Sequence, residues 1–108
     1  MPQLITAPEL AARMKKEKVY LLDVREPWEA ERASIAGTSA LLPLTTWPHA
    51  VEKVKAEKGQ PIVVYCHHGV RSFRAAQALE QMGYAGVLSL TGGIDAWSRE
   101  VEPEVTRY

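Results

Sequence analysis

The sequence has one cysteine, no net charge and no long apolar run, and each shortage excludes something. A single thiol cannot build an internal disulfide framework, so the fold must rest on its core alone. That thiol is either inert in the core or reactive, and its neighbours decide which. Lysine plus arginine (13) equals aspartate plus glutamate (13), which removes the electrostatic argument for nucleic acid or an anionic membrane as partner. No segment approaches the roughly 20 apolar residues that span a bilayer. Met1-Pro2-Gln3-Leu4-Ile5-Thr6 also lacks the basic and apolar regions of a signal peptide. A soluble, cytosolic protein is expected. What the sequence does have is core material: 46% of its 108 residues are hydrophobic, which suits one domain over 1–108 and is too little for two.

No repeat, low-complexity tract or charged linker divides the chain. Thr6-Ala7-Pro8-Glu9 has the form of a capping box, and Leu10, Ala11 and Met14 follow at helical spacing. Pro8 is harmless in a first turn, where its missing N–H would have no partner. Val19 to Leu22, ending at Asp23, is a short apolar run that predicts a buried strand. Pro61 to Tyr65 is a second one, β-branched and continuous rather than alternating, as in a parallel strand covered on both faces. A helix over roughly Trp47 to Glu57, ending at Gly59, is expected between them. Ala75, Ala76, Leu79 and Met82 make the stripe of another helix, Ser72 to Met82, with Gly83 placed to end it. Val87 to Leu90 predicts one more strand. Gly92-Gly93 then allow a tight turn into a last helix, Ile94 to Arg99, on which Trp97 is expected to fill the core. Strands alternating with helices define an α/β domain with a mainly parallel sheet. Ligands bind such sheets beyond the carboxyl ends of the strands, which singles out the segment after Tyr65.

That segment is Cys66-His67-His68-Gly69-Val70-Arg71-Ser72. A loop curled between a strand end and a helix start can aim successive backbone N–H groups at one centre. The helix N-terminus adds partial positive charge at the same place. A thiolate needs such a setting, because the deprotonated form is the nucleophile. Gly69 permits the curl, Arg71 adds a fixed cation with a planar fork, and the amides from His67 to Ser72 supply the cradle, so the identity of Val70 matters less. Adjacent histidines are expected to point in different directions, and no second cysteine or clear carboxylate partner stands at ligand spacing along the sequence. His67 and His68 therefore suggest charge tuning or substrate contact rather than a metal site.

The loop resembles the active-site loop of rhodanese domains. Two further segments agree in order and spacing: Asp23-Val24-Arg25-Glu26-Pro27-Trp28-Glu29 is similar to the family's first signature, and Gly92-Gly93-Ile94-Asp95-Ala96-Trp97 to its closing one. The resemblance implies a five-stranded, mostly parallel sheet with helices on both faces. It implies a sulfurtransferase without cofactor, in which Cys66 takes sulfur from a small anionic donor such as thiosulfate and yields it to cyanide or a thiol. A sulfur-relay protein as donor stays open. Arg71 then binds the donor or orients the loop. Asp23 and Arg25 either support the loop and its substrate, or else Asp23 caps the next short helix and Arg25 is solvated. One stretch departs from the family, where Ser34-Ile35-Ala36-Gly37 replaces a histidine, isoleucine, proline and glycine run. Ile35 and Gly37 keep the packing and turn positions.

Two other functions compete. Phosphatases of related fold place five residues between cysteine and arginine, whereas four separate Cys66 from Arg71. The shorter loop makes a cradle sized for sulfur, and no evident acid is present to protonate a leaving alkoxide. Rhodanese-like modules that only bind partners tend to lack the cysteine, which is retained here.

Overall fold

A computed structural model describes residues 2–108; Met1 lies outside them. The elements run β1 (Gln3–Ile5), α1 (Ala7–Lys16), β2 (Tyr20–Asp23), α2 (Pro27–Arg32), β3 (Ala40–Leu41), β4 (Ile62–Tyr65), α3 (Val70–Gln81), β5 (Leu88–Leu90) and α4 (Gly93–Glu100). The five strands form one sheet in the order β1-β5-β4-β2-β3, and every pairing is parallel.

Alternation along the strands divides the core into two. Leu21, Val63 and Tyr65 face Ala7 and Leu10 of α1 and Ile94, Ala96 and Trp97 of α4. Leu22, Val64 and Cys66 face the other way, toward Ala75, Ala76 and Leu79 of α3. Because β2 and β4 are central, both of their faces are covered, and both read as unbroken apolar runs.

The expected ends are realised by the expected chemistry. The Thr6 N–H donates to Glu9 Oε1 at 2.8 Å, and the Glu9 N–H donates to Thr6 Oγ1 at 3.3 Å, which closes the capping box of α1. At the other end of α3, Gly83 N–H donates to the Glu80 carbonyl and Tyr84 N–H to the Leu79 carbonyl. These are the two bonds of a Schellman stop. Trp97 is buried in the core, as its position predicts. Ile35 is buried as well, and the Thr38 N–H donates to its carbonyl to close the turn.

The middle helix expected over Trp47 to Glu57 does not form. Two short 3₁₀ turns, Leu44–Thr46 and His49–Lys53, occupy its place. Their bonds run three residues back, Val51 N–H to Pro48 and Val54 N–H to Val51. In that geometry residues three apart lie on one side, so Val51 and Val54 both reach the core without a full helix. Strands β1 and β3, at the sheet edges, have three and two residues and are not predicted by their own composition.

Candidate active site

Helix α3 starts two residues earlier than its apolar stripe implies, so Val70, Arg71 and Ser72 form its first turn rather than the loop. Gly69 is the cap, with a φ of 110° that a side chain rarely tolerates. This shift matters to the chemistry. The first amides of a helix have no partner within it, and that of Ser72 is spent on Cys66 Sγ at 3.3 Å. The Gly69 N–H reaches the same sulfur at 3.1 Å. Of the amides expected to line the cradle, these two meet Sγ, and they come from either side of the helix start.

Below the sulfur lies a hydroxyl pair that sequence reasoning missed. Ser72 Oγ is 3.5 Å from Sγ, donates to the Gly69 carbonyl at 3.1 Å and lies 2.8 Å from Ser89 Oγ of β5. Both serines are buried, so the polar floor of the cradle is shielded from water. Cys66 itself is 1% exposed.

The closing signature explains how the loop is held. Ile94 N–H donates to the Cys66 carbonyl at 2.8 Å and Asp95 N–H to the His67 carbonyl at 3.1 Å. A side chain at Gly93 would collide with those same two carbonyls, so glycine is the residue that lets α4 dock there. The Gly92-Gly93 turn thus belongs to the wall of the site.

Arg71 points its fork at Glu29 of α2, with Nη1 to Oε1 at 2.6 Å and Nη2 to Oε2 at 2.9 Å. The guanidinium holds the Glu29 carboxyl down at about 2, and Glu29 in turn raises the pKa of Arg71. Glu29 went unremarked as a functional group, although it closes the first signature. Its second partner, Tyr108, had no sequence signal at all. The Tyr108 hydroxyl donates to Glu29 Oε2 at 3.0 Å and accepts from Arg25 Nη1 at 2.8 Å. Burial pushes that phenol up to about 12, so it stays protonated in the physiological range.

Asp23 and Arg25 form a second fork, at 2.9 and 2.7 Å. Arg25 is not solvated; it is 0% exposed and also donates to the carbonyls of Glu29 and Ala33. Nor does Asp23 cap α2, whose cap position is Glu26. Asp23 instead accepts the backbone N–H of Arg25 along with its guanidinium. Desolvation opposes the charge on Arg25, but the bonds to Asp23 and Tyr108 outweigh it and raise its pKa.

His67 is sandwiched between His68 and Tyr108, with ring centroids 3.8 and 3.9 Å away. Its burial, and the neighbouring His68, hold its pKa below the ordinary histidine range. His68 is exposed at the rim, as is Val70. Contrary to the expectation from sequence, the two histidines stack rather than diverge, and the fold brings a carboxylate to them: ligand atoms of His67, His68 and Asp95 lie within 4.8 Å of one another. The two rings are stacked, however, so their in-plane lone pairs run side by side rather than converge on one ion. The Asp95 carboxylate is engaged by Arg99 and Arg107.

A parallel α/β sheet with a cysteine at the carboxyl end of its central strand, cradled by the amides of the following helix, defines a cysteine-loop domain. Residues 6–100 match the Rhodanese-like domain family, and the chain belongs to it. It is 38% identical over 89 residues to a protein of Allochromatium vinosum named sulfurtransferase, covering 82% of this chain and 80% of that one. It is 34% identical to the thiosulfate sulfurtransferase GlpE of Pseudoalteromonas translucida, covering 87% of each. A crystal structure of a rhodanese-related protein from Thermoplasma volcanium superposes with a TM-score of 0.82 at 31% identity, over 98% of this chain and 99% of that one. Some relatives are longer; the chain spans 36% of a chloroplastic rhodanese-like protein of Arabidopsis thaliana. No helix among the described residues is long and apolar enough to cross a membrane.

Proposed function

We propose that the chain is a sulfurtransferase that carries sulfur on Cys66 as a persulfide, between a donor such as thiosulfate and a thiol or cyanide acceptor. The observation that carries this reading is the pair of amides aimed at Sγ, Gly69 at 3.1 Å and Ser72 at 3.3 Å. Such donors stabilise negative charge on the attacking sulfur and on the persulfide that replaces it, and they need no rearrangement between the two. In the first half-reaction the Cys66 thiolate attacks the outer sulfur of thiosulfate. The S–S bond breaks and its electron pair leaves with sulfite. In the second, the acceptor attacks the outer sulfur of the persulfide, and the pair returns to Cys66 as thiolate.

The reading as a phosphatase is weaker. Four residues between Cys66 and Arg71 leave little room for a tetrahedral phosphate, and the Arg71 fork is already filled by Glu29. Intact mass measurement after incubation with thiosulfate tests the proposal directly. One added sulfur atom is expected, absent in Cys66→Ala and removed by cyanide. A mass that stays unchanged in the wild-type protein overturns it.

A further inference from the structure

Beside the Cys66 loop one edge of the sheet is open. β1 ends the sheet and pairs with β5 alone. The Gln3 N–H donates to the Val87 carbonyl and the Thr91 N–H to the Ile5 carbonyl, so the polar groups of Gln3 and Ile5 face β5. Backbone direction alternates along a strand, and the N–H and carbonyl of Leu4 therefore point away from the sheet. Side chains alternate as well. Ile5 is buried on the α1 side at 5% exposure, whereas Leu4 stands on the α3 side and is 61% exposed.

The Leu4 side chain lines a groove of about 470 Å³ beside the first turns of α3, together with Val70, Phe73, Arg74, Gln77 and Leu90. Val70 is 66% exposed, so the groove shows apolar surface to water. Arg74, also exposed, stands apart from the other arginines of the surface. Arg13, Arg25, Arg71, Arg99 and Arg107 each hold a carboxylate, and among the described residues Arg74 holds none. An open strand edge suits extended backbone, an apolar wall suits apolar side chains, and a lone cation suits one carboxylate. A polyanion such as nucleic acid would meet a single free charge here, on a chain with no net charge.

We propose that this face docks an extended segment of a partner protein. The segment adds as a further strand beside β1, bonding the outward N–H and carbonyl of Leu4. Every second side chain then turns toward α3. Apolar ones pack on Leu4, Val70 and Phe73, and one carboxylate pairs with Arg74. The docking site lies outside the cradle and needs nothing from the Cys66 sulfur.

The probe is a short, terminally blocked peptide that alternates threonine with leucine and carries one aspartate in place of a central leucine. Its control has asparagine there, and binding is followed by amide NMR of the whole chain. Shifts are expected at Gln3–Ile5 and in the first turns of α3, with the asparagine peptide bound about threefold or more weakly. Arg74→Gln, at an exposed and unpaired position, should erase that difference. N-methylation separates strand pairing from simple adhesion. Methyl groups on the alternate peptide amides that face β1 should weaken binding about fivefold or more, and those on the other set should not. Absence of binding, shifts elsewhere, equal affinity for both peptides, or equal loss from both methylated sets overturns the proposal. Cys66→Ala protein should bind as well as wild type; a loss there would put the peptide in the cradle and overturn it too. If the free protein is a dimer with its interface on Leu4 and Val70, a second copy covers the face, and the proposal fails.

Discussion

Asp23–Arg25 and Glu29–Arg71 are the same chemical pair in two different surroundings. Each is a two-pronged guanidinium–carboxylate fork, with bonds between 2.6 and 2.9 Å. The first is sealed: Arg25 and Asp23 have side-chain exposures of 0% and 1%. Arg25 is further held by two carbonyls and the Tyr108 hydroxyl, and its guanidinium lies 5.2 Å from the ring centre of Tyr65. The second pair is open at one end only, with Arg71 at 37% and Glu29 at 4%. A charge desolvated on all sides must be fully partnered, and its loss is felt by the whole fold. A charge at the mouth can be changed with modest structural cost while altering what the mouth attracts. The inner pair acts as a brace, and the outer pair as the part of the same network that reaches the surface beside the Cys66 loop.

Substituting each arginine should therefore give opposite profiles. Arg25→Met strands the Asp23 carboxylate inside the protein, and the expected loss is about 3–5 kcal/mol of unfolding free energy, measured by urea denaturation. A loss below about 1 kcal/mol would remove the distinction between the pairs. Arg71→Ala should cost less, about 1–2 kcal/mol, because Glu29 keeps the Tyr108 hydroxyl and the Glu26 N–H as partners. Its larger effect should be on thiosulfate loading of Cys66, slowed about tenfold once Glu29 is left unbalanced at the mouth. Acid titration separates the two roles further. The Glu29 carboxyl lies at about 2 against an ordinary 4.5, so the pair contributes stability above about pH 4.5 that is lost as pH falls toward 2. In Arg71→Ala that pKa returns toward its ordinary value, and stability should become less steep with pH across this window.

How much of this was legible depended on the range over which each feature is encoded. The cradle was legible because its parts lie within seven residues: strand end, cysteine, glycine and helix start. So were the capping box of α1 and the Gly83 stop of α3, each set by local backbone chemistry. The middle helix failed because Val51 and Val54 suit a three-residue repeat as well as a helical one, and periodicity alone does not separate them over so short a span. Strands β1 and β3 were invisible because their order comes from pairing with β5 and β2, not from their own composition. At the site, the quoted signatures contained both charged pairs but not who pairs with whom. Arg25 could be solvated or buried on sequence grounds; only the packing of Tyr65 and Tyr108 around it decides.

Tyr108 is the extreme case, a residue 79 positions from Glu29 that joins the two pairs through one hydroxyl. It also stacks on His67, next to Cys66, with the planes 11° apart. These two contributions can be parted. Tyr108→Phe keeps the ring on His67 and removes the oxygen, leaving Arg25 with its two carbonyls and Asp23, and Glu29 with Arg71 and the Glu26 N–H. Each arginine then retains its own carboxylate, so the expected loss is about 1 kcal/mol, the worth of a partly buried hydrogen bond. The sharper readout is coupling. If the hydroxyl couples brace and mouth, combining Tyr108→Phe with Arg71→Ala should give more than the sum of the two losses, because each single variant leaves the Glu29 carboxylate the other's partner. Strict additivity in urea denaturation would mean that the inner and outer pairs are independent and that the tyrosine serves His67 alone.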